Sequence, residues 1–181
     1  MARDTRNRMI DAAVATLQRE GVAGMSFTEV LAASGAARGA IYHHFPGGKA
    51  QLVAEAAACN GEDVRAHLAA LPAGSPRAVV DGFLELIRPV VAASADGGGC
   101  AVAAVTVGAD APLDVAAAAF ASWTDQLAER LAASGLGPGE AADLAATLIA
   151  LLEGAHILCR AAGSIAPFDR IARAAAGLVP G

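Results

Sequence analysis

Residues 26–49, SFTEVLAASGAARGAIYHHFPGGK, decide the fold of this 181-residue chain. Ser26 and Glu29 form a capping-box pattern, in which each side chain can accept a hydrogen bond from a backbone N–H group at the start of one helix. Val30 and Leu31 continue that helix with an apolar face. Gly35 then supplies a residue that tolerates a positive φ in a tight turn. The pattern predicts a short capped helix that ends in a turn.

A second short helix is predicted directly after that turn. Ile41 and Phe45 lie four residues apart and can pack inward together, and Pro-Gly-Gly at residues 46–48 stops the helix. The side facing away from the core then carries Arg38, Gly39, Tyr42 and His43. Two short helices joined by a Gly-bearing turn match the geometry that places first-turn residues of the second helix against base edges in a DNA major groove. The stretch therefore predicts a helix-turn-helix.

The same residues resemble a known family. The segment YHHFPGGK, residues 42–49, preceded by the capped helix and its turn, is similar to the N-terminal domain of TetR-type transcriptional repressors. The segments GGCAVA, residues 98–103, and ALLEGAHILCRA, residues 150–161, resemble the subgroup with a YxaF/LmrA-like ligand domain. The resemblance implies a ligand-responsive repressor that is released from its operator when a small molecule binds.

Two positions depart from the family pattern. Ala37 stands where a Ser or Thr usually caps the recognition helix, and Ala50 stands where an acidic residue commonly follows the Lys. An Ala cap costs roughly 1 kcal/mol relative to Ser. We expect a slightly weaker helix start and no loss of function.

Composition predicts an all-α chain. Hydrophobic residues make up 55% and charged residues 17% of the sequence, which supports a folded core, and the β-branched alternation of strands is hard to find. We expect an N-terminal helix-turn-helix DNA-binding domain at residues 1–48, then a helical ligand-binding and dimerisation domain at residues 49–181, with a connector helix at about 48–71.

The charge distribution supports this division. The net charge is −5, but residues 1–50 hold six Lys/Arg against four Asp/Glu, whereas residues 51–181 hold seven against fourteen. Only the N-terminal part is suited to phosphate neutralisation.

Roles for the DNA-facing residues follow from their chemistry and from the resemblance. Arg38 and Gly39, in the first turn of the second helix, permit close approach to base edges. Tyr42 is either a core aromatic or, as the family motif implies, a phosphate donor. The motif assigns His44 to the DNA backbone and His43 to the more exposed side.

Three further positions are candidates for phosphate contacts. Thr28 is a phosphate donor or an ordinary helix-surface residue. Lys49 adds a full charge at the N-terminus of the connector helix, where free N–H groups and the helix dipole favour an anion. Arg3 and Arg6, at the start of a helix predicted over Asp4–Glu20, are phosphate contacts or part of a solvated charged turn.

The C-terminal part is predicted to dimerise and to hold a ligand. The helix predicted from Glu140 to Ala162 is apolar almost all round and needs a second partner, most simply its own copy. A small-residue seam suited to that packing consists of Ala145, Leu148, Leu152, Ala155 and Cys159. Candidates for lining an apolar ligand cavity, which the family resemblance suggests, are Phe83, Ile87, Cys100, Phe120, Trp123 and His156. Each of these residues also fits ordinary core packing.

Other classes of protein are less well supported. The sequence lacks G-x-S-x-G, HExxH and a phosphate-binding glycine loop after a strand, so we expect no catalysis and no cofactor. Neighbouring histidines on a helix point about 100° apart, and no CxxC pair is present, so we expect no metal site. The N-terminus lacks the apolar core of an export signal, which predicts a cytoplasmic protein. The alternative function is a helical protein-interaction module without sequence-specific DNA binding.

Overall fold

The computed structural model describes residues 2–108 and 112–179, with the side chains of residues 2 and 3 left out. This part of the chain forms helices and no strands, which confirms the all-α prediction. The helices are α1 (Ala2–Gly24), α2 (Phe27–Ser34), α3 (Ala40–His44), α4 (Gly48–Ala69), α5 (Pro76–Ala95), α6 (Ala101–Thr106), α7 (Leu113–Ala133), α8 (Pro138–Ala162) and α9 (Ala166–Ala176).

The chain packs as two compact units. The first comprises Met1–Glu62 and Cys100–Ala119, and the second comprises Asp63–Gly99 and Phe120–Gly181. Helices α4 and α7 each supply residues to both units. The predicted boundary at residue 48 separates a DNA-binding part from a ligand-binding part. It is a functional division, and it stays a prediction.

In the first unit, local sequence signals set the helix ends. Ser26 Oγ accepts the backbone N–H of Glu29 at 3.2 Å, and Glu29 Oε2 accepts the N–H of Ser26 at 3.1 Å, so the capping box forms as predicted. Gly35 adopts φ 64° in the turn after α2. Gly21, where α1 was expected to end, has the non-helical angles φ 69° and ψ −175°.

Helix α1 is the packing centre of the first unit, because both α2 and α6 contact it. Its buried face carries Met9, Ala13 and Leu17. Arg8 of α1 also donates from Nε to the carbonyl oxygen of Ser34 at 3.1 Å, which satisfies a carbonyl at the C-terminus of α2. The start of the helix-turn-helix turn is thereby tied to α1.

In the second unit, α5 packs against α8 and α9, and α8 and α9 contact each other. Ser75 caps α5 and Pro76 begins it. Arg88 forms an ion pair with Asp169 at 2.9 Å and lies over the buried ring of Phe168, which fixes α9 on α5. The largest buried side chains of this unit are Trp123, Phe83, Phe168, Leu68, Leu127, Leu131 and Leu148.

We expect Gly35→Ala to destabilise the protein by about 1–2 kcal/mol, the cost of a left-handed backbone at a non-glycine residue. No atom lies within 4 Å of a Cβ added at Gly35, so strain is the only expected cost. Gly139→Ala is the matched control, because that position in the first turn of α8 is equally open but its φ is not positive. Urea unfolding at one protein concentration measures both, and the control should be neutral or more stable. A Gly35→Ala protein as stable as the wild type would contradict this reading.

Candidate DNA-binding interface

The start of the recognition helix differs from the prediction. Arg38 and Gly39 were expected in the first turn of α3, but the structure places both in the turn that precedes it. The N–H of Ala40 donates to the carbonyl oxygen of Ala37 at 2.9 Å, and no side chain caps the helix. Regular helix begins at Ala40, and Ala37 has no side-chain oxygen that could cap it. Arg38 and Gly39 remain exposed at the N-terminal end of α3.

The apolar side of α3 is buried as predicted. Ile41 and Phe45 are fully buried, and the N–H of Phe45 donates to the carbonyl oxygen of Ile41 at 2.8 Å, which closes the helix. The regular helix is only five residues long. Helices this short are not stable alone, so the burial of these two side chains fixes α3.

Tyr42 lies on the exposed side of α3. Its side chain is 66% exposed, so the core alternative is wrong. The ring packs edge-to-face against Phe27 of α2, with a centroid distance of 5.9 Å and an interplanar angle of 85°. This contact holds the Tyr42 ring against α2 and leaves much of the side chain accessible.

The two histidines of α3 have different environments. His43 is exposed and His44 is half-buried, and their ring centroids lie 5.1 Å apart. Within the described residues, no group of three or more His, Cys, Asp or Glu side chains could hold a metal ion.

Thr28 and Lys49 lie at helix N-termini beside α3 in the sequence. Thr28 is exposed in the first turn of α2, and Lys49 is half-buried in the first turn of α4, which begins at Gly48 as predicted. The predicted DNA-binding residues therefore all belong to the first unit and are all exposed or half-buried.

Arg6 does not extend freely from α1. Its Nη2 atom pairs with Glu55 Oε2 of α4, and its guanidinium carbon lies 5.4 Å from the centroid of the Phe45 ring. The side chain of Arg3 lies outside the described residues. The sequence did not predict the pair with Glu55, because Arg6 and Glu55 lie 49 positions apart. Part of the surroundings of Glu55 does have a sequence signal. Gln51 and Glu55 have the i, i+4 spacing that suits a hydrogen bond on a helix face.

The predicted ligand residues do not all belong to one unit. Phe83, Ile87, Trp123 and His156 are buried in the second unit. Phe120 of the same unit is half-buried and packs edge-to-face on Trp123, with ring centroids 5.1 Å apart.

Cys100 belongs to the first unit, where it caps α6. Its Sγ atom accepts the N–H of Ala103 at 3.3 Å. The three cysteines, all within the described residues, form no disulfide.

A polar pair lies inside the apolar core of the second unit. Ser94 of α5 and His156 of α8 form a buried hydrogen bond, with 2.7 Å between Oγ and Nδ1. Burial lowers the pKa of His156 from 6.5 to about 4. The imidazole is therefore neutral at physiological pH, and this bond joins α5 to α8.

The predicted dimer seam on α8 is wrong. Its five residues are buried within the protomer, because α5 and α9 already cover that face. Their side chains are Ala145, Leu148, Leu152, Ala155 and Cys159. A small-residue seam suits an intrachain helix contact and an interchain contact equally well, and here the intrachain contact uses it.

A different face of α8 is exposed and carries small and apolar residues together with Asp143 and Glu153. Ala146, Ala150 and Ile157 lie on it at spacings of four and seven residues, and Ile157 is 68% exposed. Among the described residues, α8 is also the one helix long and apolar enough to cross a membrane. Its packing against α5 and α9 is that of a core helix.

Two segments of the sequence match models of known protein families. Residues 76–174 match the model "Transcriptional regulator LmrA/YxaF-like, C-terminal domain", and residues 9–56 match "Bacterial regulatory proteins, tetR family". The chain belongs to the TetR family. It is a transcriptional regulator and not an enzyme.

Individual TetR-family proteins can be aligned with nearly the whole of this chain. The HTH-type transcriptional regulator Rv0196 of Mycobacterium tuberculosis is 34% identical over 177 residues, covering 93% of this chain and 90% of that protein. A TetR family regulator from Agrobacterium tumefaciens, 23% identical, has a TM-score of 0.83 with 100% of both chains covered.

A third relative was solved with DNA. A cysteine mutant of the TetR family regulator CifR, complexed with 26 bp double-strand operator DNA, is 22% identical, has a TM-score of 0.72 and is covered over 96% of each chain. The similarity to the Agrobacterium tumefaciens and CifR structures shows that the chain has the TetR-family fold, as the sequence predicted.

The His156 pair makes the stability of this TetR-family protein dependent on pH. Above pH 6.5 the imidazole is neutral in both folded and unfolded chains. Between pH 6.5 and about 4 the unfolded chain binds a proton that the folded chain does not. The free energy of unfolding therefore falls as pH falls through this window, by roughly 3 kcal/mol in total.

His156→Gln should remove this component, because Gln can hydrogen-bond but does not titrate. Urea unfolding from pH 7.5 to 4.5 measures it as the difference between variant and wild type. His67→Gln is the control, because His67 is exposed. Parallel stability curves for the wild type and His156→Gln would contradict the assignment.

Proposed function

We propose that this TetR-family regulator is a cytoplasmic repressor that binds a pseudo-palindromic operator as a homodimer and leaves it when a small molecule binds its C-terminal part. The observation that carries the proposal is the two-sided recognition helix. Ile41 and Phe45 are fully buried, while Tyr42 on the helix and Arg38 in the turn before it stay exposed. The operator complex of CifR, a protein of the same fold, supports DNA as the partner.

Arg38 and Gly39 read base edges. They lie in the turn at the N-terminal end of α3, the end that enters the major groove in this motif. The guanidinium of Arg38 can bond two acceptors of a guanine, and the missing side chain at Gly39 lets the backbone come close. His43, on the exposed side of α3, faces the same groove.

Thr28, Tyr42, His44 and Lys49 contact the phosphate backbone. The Tyr42 ring is positioned for this by Phe27, so that its hydroxyl donates without a large loss of side-chain entropy on binding. Lys49 combines its charge with the free N–H groups at the start of α4. Phosphate contacts fix the register of the protein and do not specify sequence.

The homodimer forms through the exposed face of α8. Ile157 and its small neighbours, Ala146 and Ala150, form a surface on which two copies of the same helix can pack closely around a two-fold axis, with the half-buried Glu153 on the same face. Two recognition helices then meet two half-sites one or more helical turns apart.

The effector binds the C-terminal domain, where the aromatic side chains of the second unit and the Ser94–His156 pair combine apolar surface with polar groups. Its contacts are the five candidates of this unit, Phe83, Ile87, Phe120, Trp123 and His156. Release requires that the effector bind the operator-free arrangement more tightly, and couplings of about 1–3 kcal/mol are typical.

Selection of bound sequences from a random double-stranded DNA pool, with purified dimer at near-physiological salt and no effector, tests the proposal. We expect an inverted repeat, which also supplies the probe for screening effectors by release. If folded dimer recovers no motif and its DNA affinity does not depend on salt, the protein is an interaction module.

On the recovered operator, Arg38→Ala and Lys49→Ala should fail in different ways. Arg38→Ala should cost about 1–3 kcal/mol on the operator and relax the preference at one base pair of each half-site. Lys49→Ala should weaken binding to all sequences and lower the salt dependence. Fluorescence anisotropy with operator and scrambled duplexes separates the two effects. Identical losses on both duplexes for Arg38→Ala would count against its base-reading role.

The dimer surface has its own test. Ile157→Asp places a charge on the exposed face of α8 and should shift the protein from dimer to monomer in sedimentation velocity, with helix content retained. Val107→Asp is the matched control, because Val107 is 85% exposed but belongs to the first unit. A stable Ile157→Asp dimer would place the interface elsewhere.

A further inference from the structure

We propose that Arg6 is a positioning residue for operator recognition, which acts through Glu55 and Gln51 on the turn at Gly47 and does not contact a phosphate. These side chains form a relay that joins α1 and α4 to the end of the recognition helix. The inference rests on the proposed DNA-binding function and names residues outside the DNA-facing set.

The guanidinium of Arg6 is already engaged. Nη2 pairs with Glu55 Oε2, and the guanidinium carbon lies 5.4 Å from the centroid of Phe45, a cation–π distance. Phe45 is fully buried and ends α3. One side chain of α1 therefore contacts both Phe45, the C-cap residue of the recognition helix, and a carboxylate of α4.

The relay continues from Glu55 to the turn after α3. Glu55 Oε1 accepts from Gln51 Nε2 at 2.9 Å, and Gln51 Oε1 accepts the backbone N–H of Gly47 at 2.7 Å. This is the one orientation of the Gln51 amide that works, because the reverse would place its oxygen against a carboxylate and its NH₂ against an N–H. Each donor in the relay thus faces an acceptor.

Gly47 is suited to this contact because it has no side chain. A Cβ at this position would lie 3.0 Å from Gln51 Oε1 and 3.1 Å from Gln51 Cβ. Phe45 and Gly47 flank Pro46, so Arg6 contacts one side of the turn directly and reaches the other through the relay. The end of α3 is held from both sides.

The same geometry argues against a phosphate contact by Arg6. Glu55 neutralises its charge, and a phosphate that approached Arg6 would meet the Glu55 carboxylate. A phosphate contact contributes to affinity on every sequence and to the salt dependence. A positioning residue instead affects contacts that need an accurate placement of α3, which are those to the bases.

The experiment compares Arg6→Ala and Gln51→Ala in the full-length dimer, on operator and scrambled duplexes over a range of salt. Gln51→Ala changes no charge and tests the relay apart from electrostatics. For each variant we expect operator affinity to fall about ten-fold. Gln51→Ala should leave affinity for scrambled DNA and the salt slope unchanged, whereas Arg6→Ala, which leaves Glu55 unneutralised, should lose much less affinity on scrambled DNA than on the operator. Arg19→Ala, which removes an exposed arginine from the same helix, is the charge control and should keep operator selectivity. Circular dichroism confirms that all variants are folded at the assay temperature.

The double variant completes a mutant cycle. Arg6 and Gln51 are joined through Glu55, so their losses should be strongly non-additive, with the double variant close to Arg6→Ala, which also loses the contact with Phe45. Additive losses would overturn the relay. A lost phosphate contact lowers the slope of log affinity against log salt concentration by about 0.9. A fall of that size for each Arg6 removed would also overturn the proposal.

A measurement without DNA separates this inference from the proposed function. In the free protein the Gly47 amide donates to Gln51, so Arg6→Ala and Gln51→Ala should both speed its hydrogen exchange, while Arg19→Ala should not. Unchanged exchange in Arg6→Ala would overturn the relay whatever the DNA data show. Faster exchange in a protein whose wild type selects no operator would refute the proposed function and with it the role of Arg6 in recognition, while the relay itself would be supported.

Discussion

The burial of Ile41 and Phe45 is the constraint on which the helix-turn-helix depends. A regular helix of five residues cannot sustain itself by backbone hydrogen bonding, so α3 has a defined orientation only because its two apolar side chains are fully buried. The orientation of α3 in turn sets the positions of the exposed residues Tyr42 and His43. The capping box of α2, the left-handed turn at Gly35 and the bond from Arg8 to Ser34 then fix the segment that leads into it.

How far the sequence determined this arrangement depends on the range of each interaction. Ser26 with Glu29, and Gly35, act within a few residues, and their predicted roles were confirmed. The pair between Arg6 and Glu55 spans 49 positions, and no local pattern encodes it. The seam on α8 failed for another reason. Periodicity identified a face that packs closely, but composition does not say whether its partner is the same chain or a second copy.

The second unit shows the same limit in its core. Residue type suggested that His156 lies among apolar neighbours, and burial confirms it. Its partner Ser94 comes from α5, 62 positions away, and is invisible to helical periodicity. A neutral histidine bonded to a hydroxyl is a low-cost way to keep polar atoms in an apolar core, because neither group carries a charge that must be desolvated. Its location between two packed helices makes it sensitive to any shift between them.

The ion pairs of α1 change how the charge of the N-terminal part should be interpreted. Arg3 and Arg6 were candidates for phosphate contacts at the start of this helix, yet Arg6 is paired with Glu55, and Arg8 is paired with Asp4. Within residues 26–49 the only cationic side chains are Arg38 and Lys49. Electrostatic attraction per protomer is then modest for a DNA-binding surface. Affinity must draw more on neutral donors such as Tyr42 and on two-fold binding, and both depend on accurate placement of a short helix. A protein with few free charges therefore has more need of a rigid turn after α3 than one that binds DNA mainly by charge.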